Sequence, residues 1–217
     1  MRIGLFGGTF NPVHLGHLRS ALEVQEGAGL DRVILIPAAV PPHKGCAELA
    51  GAAERLEMIA AAIEGVPGLA VSDVETRREG PSFTIDTVRH FRDTEPQAEL
   101  SLIVGLDAFL EIDTWRSFRE LLGLVPLVVI SRPAAGVLPE RAAVERFVRE
   151  RISPECTPDP ASGAWRAPGV RGIRVFPVTG LDVSSRRVRE LAAAGRSLRF
   201  LVPETVMTYI QSRGLYR

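Results

Sequence analysis

The sequence predicts an α/β fold, a doubly wound parallel sheet covered by helices on both faces. Three observations carry that prediction. Strand-like and helix-like segments alternate along the chain, the order that βαβ units impose. Two strand candidates, Val33-Ile34-Leu35-Ile36 and Leu127-Val128-Val129-Ile130, are unbroken apolar runs, as strands buried on both faces are. A glycine-rich turn, Gly7-Gly8-Thr9, joins the first strand to the first helix, and its glycines let backbone approach an anion closely.

Arg2 to Phe6 reads as the first strand, and Leu15 to Ala28 as the first helix, stopped by the Gly27–Gly29 region. Val33 to Ile36 is the second strand, followed by a proline-rich loop from Pro37 to Gly45. Ala52 to Ile63 has helical composition, and Leu69 to Val74 is a short strand. Thr84 to Arg92 places Ile85, Val88 and Phe91 on one helical face. Leu100 to Val104 is a buried strand ended by Gly105, Phe118 to Leu122 a short helix, and Leu127 to Ile130 another strand. Glu140 to Arg151 is a charged amphipathic helix. Ser153 to Gly172 is rich in proline and glycine and reads as a surface excursion rather than core, with Trp165 packing it. A strand (Ile173 to Val178) and two helices (Ser185 to Ala194, Pro203 to Arg213) complete the pattern. With no repeat or linker in view, residues 1–217 are expected to form one domain whose helical C-terminal part spans about 184–217.

At 46% hydrophobic and 24% charged residues the composition is that of a soluble globular protein. Lys+Arg and Asp+Glu both number 26, so no bulk field draws the chain to nucleic acid or an anionic membrane. No targeting layout or spanning apolar run is present, and Cys46 and Cys156 form no motif. The expectation is a cytoplasmic protein, either a monomer or a small homo-oligomer.

The chemistry-bearing residues gather at predicted strand ends, where ligands bind in such sheets. His14 and His17 stand three residues apart at a helix start, so both imidazoles can face the same phosphates. The glycines make neither G-x-G-x-x-G nor a P-loop, and zinc-type spacing is missing. The dinucleotide oxidoreductase reading therefore lacks its fingerprint. Pro41-Pro42-His43-Lys44 puts a compact cation on a rigid loop. Ser184 and Ser185 are good N-cap residues. Arg186, Arg187 and Arg189 crowd the helix start behind them, against the dipole, which favours anions there.

Taken as a unit, GGTFNPVHLGH resembles the H-x-G-H signature of the nucleotidyltransferases. Further segments resemble the bacterial nicotinate-mononucleotide adenylyltransferases: Pro41 to Lys44, Gly80 to Thr87 with Phe83 where tyrosine is common, Ile103 to Asp107, Thr114-Trp115, Ser131 to Pro133, and the C-terminal pattern through Leu215-Tyr216. Ser184 to Arg189 resembles the I-S-S-T-x-I-R motif, with Arg186 in place of threonine. The resemblance implies a Rossmann-like nucleotidyltransferase fold and AMP transfer from ATP to nicotinate mononucleotide in NAD biosynthesis. It places ATP on Gly7, Gly8, Thr9, Phe10, His14, His17, Gly105, Asp107, Ser184, Ser185 and Arg189. Lys44, Phe83, Thr84, Asp107, Trp115 and Arg132 fall to the acceptor, with Trp115 stacking on the nicotinate ring. His14, His17, Lys44 and Arg189 would carry catalysis, and Mg²⁺ would arrive with ATP. The alternatives are a sister enzyme using nicotinamide mononucleotide or phosphopantetheine, and a non-catalytic nucleotide-binding regulator.

Overall fold

Strand β1 (Arg2–Gly8) shows why the sheet is covered twice. Ile3 and Leu5 enter one cluster of buried side chains, and Phe6 enters another, as the two-residue period of a strand requires. The same division recurs in β2 (Arg32–Pro37) and β4 (Glu99–Gly105). Ile34, Ile36, Leu102 and Val104 face one way, Val33, Leu35 and Ile103 the other. The computed structural model describes residues 1–41, 49–131 and 139–217.

Three further strands join these in parallel: β3 (Leu69–Val71), β5 (Leu127–Ser131) and β8 (Val170–Pro177). With β6 (Thr157–Pro158) and β7 (Trp165–Ala167) they form one sheet in the order β3-β2-β1-β4-β5-β8-β7-β6. Every pair from β3 to β8 is parallel, whereas β6–β7 and β7–β8 are antiparallel. The chain runs outward from β1 through β2 to β3, then crosses back to β4 and runs the other way. The order therefore switches between β1 and β4, and the crevice beyond their carboxyl ends is where a ligand can enter.

One face of the sheet carries α3 (Thr84–Thr94), a short α4 (Leu106–Phe109), α5 (Phe118–Leu124) and α6 (Pro139–Phe147), the last continued by a π turn, Val148–Ile152. They bury Ile85, Val88, Phe109, Leu121, Val144 and Val148 against it. The other face carries α1 (Leu15–Gly27), α2 (Ala52–Ile63), α7 (Ser185–Ala193) and α8 (Glu204–Arg213). Val188, Val206 and Ile210 join Leu18, Met58 and Ile59 there. The C-terminal helices thus finish a face of the sheet.

The segment from Ser153 to Gly172 corrects the sequence reading of a surface excursion. Its two short strands extend the sheet, and Cys156 (0% exposed) and Trp165 (1% exposed) lie in the main core. Turn residues dominate its composition because the hairpin is short, with Asp159 folding it by accepting from the Ala161 and Ser162 amides at 2.8 and 3.0 Å. Trp165 does pack the segment, as expected, with Arg141 over its ring at 4.9 Å. Two smaller differences lie at strand ends: β3 stops at Val71, and α4 with a 3₁₀ turn (Ile112–Thr114) fills the stretch after Gly105.

Candidate functional site

The turn after β1 is held in a shape that its sequence does not favour. Phe10 takes φ 47, a left-handed conformation that costs a non-glycine residue on the order of 1–3 kcal/mol. Packing holds it there. Its ring is buried, meets Phe6 edge-on at 5.7 Å and His17 at 5.0 Å, and covers Gly8 so closely that a Cβ there would lie 2.9 Å from it. Gly7, by contrast, has nothing within 4 Å of an added Cβ, so its backbone faces open space.

His14 is the N-cap of α1, with extended backbone and 3% exposure. Its imidazole stacks on that of His17, centroids 3.6 Å apart and planes 23° from parallel. The His14 backbone N–H donates to His17 Nδ1 at 3.3 Å. A neutral His17 ring must therefore carry its proton on Nε2, which is then a donor. Gly16 leaves room for this pair, since a Cβ there would lie 3.0 Å from Val183 and 3.1 Å from the His14 ring.

That contact with Val183 brings in α7, whose N-terminus is fastened to the same turn. Ser184 caps it by accepting from the Arg187 N–H at 3.2 Å. Ser185 Oγ donates to the Pro12 carbonyl at 2.9 Å, and Arg189 Nη1 to the Asn11 carbonyl at 3.0 Å. Two helix N-termini, both favourable to anions, thus meet at one turn. Asn11 is itself a junction: its Oδ1 accepts from the Tyr216 hydroxyl at 2.7 Å and the Ala50 N–H at 3.1 Å. Burial pushes the Tyr216 hydroxyl pKa far up, against the opposing pull of Arg189 and Arg55, so it is a donor at any physiological pH.

On the other side of the turn, at the switch in strand order, lies a cavity of about 530 Å³. Gly7, Gly8 and Thr9 line it, with Phe83, Thr84, Thr114 and Trp115. Such a volume suits a small organic ligand, and the half-buried Trp115 offers a platform for a flat ring. The wall is fixed from behind. Thr87 Oγ1 donates to the buried Glu75 at 2.6 Å, and Ser82 Oγ accepts from the Ala39 N–H at 2.9 Å. Arg116, also lining the cavity, lies over the Phe83 ring at 4.7 Å.

The structure therefore gathers the sequence-predicted residues into two adjoining groups. Gly7, Gly8, Thr9, Phe83, Thr84 and Trp115 share the cavity. Phe10, His14, His17, Ser184, Ser185 and Arg189 surround the two helix starts. Gly105 caps α4 at the end of β4, and Asp107 is exposed in its first turn, outside the cavity lining. Lys44 and Arg132 lie outside the described residues. His90 is an exposed residue of α3, as expected.

Sequence reasoning missed Asn11, Arg55, Glu75 and Arg116. Arg55 left a signal: it stands on the α2 face that also carries Met58, Ile59 and Ile63, so a cation interrupts an apolar stripe. Glu75 and Asn11 left none, because their partners are remote in sequence. Among the described residues no cluster of three His, Cys, Asp or Glu side chains could hold a metal ion. No helix there is long and apolar enough to cross a membrane.

A sequence model of the family described as cytidylyltransferase-like matches residues 5–191. A probable nicotinate-nucleotide adenylyltransferase of Desulfatibacillum aliphaticivorans is 43% identical over 217 residues, covering 100% of both chains. Another, from Pseudomonas fluorescens, is 42% identical over 100% of this chain and 97% of its own. Among solved structures, Plasmodium falciparum nicotinic acid mononucleotide adenylyltransferase complexed with NaAD is similar with a TM-score of 0.74, over 99% of this chain and 97% of that one. At 14% identity that last likeness speaks for the fold.

Proposed function

The chain belongs to the cytidylyltransferase-like family, and from that premise we propose that it transfers AMP from ATP to nicotinate mononucleotide, giving nicotinate adenine dinucleotide and pyrophosphate. One observation carries the reading: the turn that holds the stacked histidines also forms the floor of a ring-sized cavity. Nucleotide phosphates and a flat acceptor would thus meet across Gly7–Thr9. The names of the relatives at 43% and 42% identity support the same chemistry.

An oxygen of the acceptor's 5′-phosphate attacks the α-phosphorus of ATP, and the bond from that phosphorus to the bridging oxygen breaks. Pyrophosphate carries the electron pair away. The nucleophile is already anionic at neutral pH, so no general base is needed. Catalysis rests on alignment and on stabilising charge at the transferring group. His17 Nε2–H, the start of α1, and Arg189 at the start of α7 supply positive potential, and His14 stacks against His17 to fix its ring. Lys44 is assigned to the same charge on sequence grounds. A magnesium ion would enter with ATP as MgATP, and its charge would add to the positive potential that His17 and Arg189 place over the phosphates. Trp115 and Phe83 would hold the pyridine ring, with Thr84 and Thr114 beside them.

The test is pyrophosphate release from ATP with a panel of acceptors: nicotinate mononucleotide, nicotinamide mononucleotide and phosphopantetheine. Turnover with the first, well above the others, is expected. Preference for another acceptor would assign the chain to a sister activity, and binding without release would leave a nucleotide-binding protein.

A further inference from the structure

Helix α2 buries a cation where packing alone would ask for an apolar residue. Arg55 is 1% exposed, and among the described residues no carboxylate pairs with it. Its donors go to backbone carbonyls of three separate segments. Nε reaches Ala50 at 3.0 Å, Nη1 reaches Thr9 at 2.9 Å and Ala38 at 2.6 Å, and Nη2 reaches Ala39 at 3.2 Å. Taking a guanidinium out of water is costly unless its donors are paired, and burial does lower the Arg55 pKa. Filling space cannot account for a residue that expensive. What the planar fork does, and an aliphatic side chain cannot, is hold several carbonyls at fixed mutual distances.

Those carbonyls belong to functional backbone. Thr9 and Ala38 both line the cavity beside β1, one on the opening turn and one just past β2. Ala39 and Ala50 flank the stretch of sequence that contains Lys44. We propose that Arg55 is a positioning residue for the transfer reaction: it sets the spacing of the Thr9 turn and the Ala38–Ala39 segment, and so the width of the acceptor site between them. The inference rests on reading that cavity as the acceptor site. Arg55 touches neither substrate; it acts through the backbone that does.

Arg55→Lys keeps a charge but offers donors from a single point, so it cannot span the same carbonyls. Wild type, Arg55→Lys and Arg55→Met are compared by thermal melting and by steady-state kinetics with ATP and nicotinate mononucleotide varied separately. A folded Arg55→Lys protein is expected to show kcat/KM for the acceptor lowered on the order of ten- to a hundredfold with KM raised, since a misplacement of about 1 Å can cost about a hundredfold. A purely structural role would lower kcat with the folded fraction and leave KM unchanged. Wild-type acceptor KM in either folded variant would overturn the proposal, as would failure of the lysine variant to fold at all. Absence of turnover by wild type with this acceptor would instead sink the functional reading, so the two failures are distinct.

Discussion

At the scale of single residues, the geometry around the first helix start fixes which atoms donate. The His14 amide occupies His17 Nδ1, so the ring presents Nε2–H, and the stacked His14 ring leaves it little room to turn. His17→Ala should leave folding intact and lower kcat by on the order of a hundredfold or more, the usual effect of deleting a donor that meets developing charge. A variant with near-wild-type kcat would remove His17 from the mechanism. Arg116 offers a second test. It lines the cavity with its guanidinium carbon 4.7 Å from the centre of the Phe83 ring, close enough for its donors to meet an acid on a ring bound there. Arg116→Ala should reduce the preference for nicotinate over nicotinamide mononucleotide by about tenfold, roughly the worth of one exposed charge-assisted hydrogen bond. An unchanged ratio of kcat/KM values would leave recognition to the backbone alone.

At the scale of elements, α7 turns an apparent fault into a fastening. Its sequence crowds arginines into a helix start, which the dipole opposes. In the structure Arg187 lies 3.5 Å from Glu190, and Arg189 is half-buried with a donor on the Asn11 carbonyl. Arg189→Ala should weaken ATP binding and slow transfer, and should also cost the ligand-free protein roughly 1–2 kcal/mol through the lost hydrogen bond. Melting curves with and without ATP separate the two, since only the binding loss shrinks the ligand-induced rise in Tm. This also marks how far elements were legible. The periodicity of α3 and the apolar runs of β2 and β5 announced themselves because burial there follows a local rule. The β6–β7 hairpin did not, because Trp165 and Cys156 are buried by distant neighbours while the turn residues around them look like surface. Thr9, His14 and Trp115 could be picked out as motifs. Asn11 could not, since its partners Tyr216 and Ala50 lie far away in the chain, and Arg55 showed only as a cation interrupting an apolar stripe.

At the scale of the whole molecule, the ends of the sequence are tied into its beginning. Helices α2 and α8 are joined by the Tyr209 hydroxyl, which donates to Glu57 at 2.6 Å. Burial, the hydrogen bond to Glu57 and the charge of Glu57 push the Tyr209 pKa up from 10.0 to about 12. A pKa raised on folding stabilises the protein fully below the unfolded value and is lost as pH climbs through the folded one. Stability should therefore fall between about pH 10 and pH 12 as this tyrosine ionises. Tyr209→Phe should be less stable than wild type near neutrality, and the gap should close across that window in pH-dependent thermal melts. A gap that stays constant to pH 12 would mean that the tyrosine contributes packing only.

Tyr216 completes the turn at Asn11 from 205 residues away, and this gives the molecule an order in time as well as in space. The turn at Asn11 is synthesised long before the residue that completes it. At about 5–20 residues per second, a growing chain would carry an unclosed Asn11 for roughly ten to forty seconds. A chain lacking Tyr216 would never close it, however well its sheet had formed.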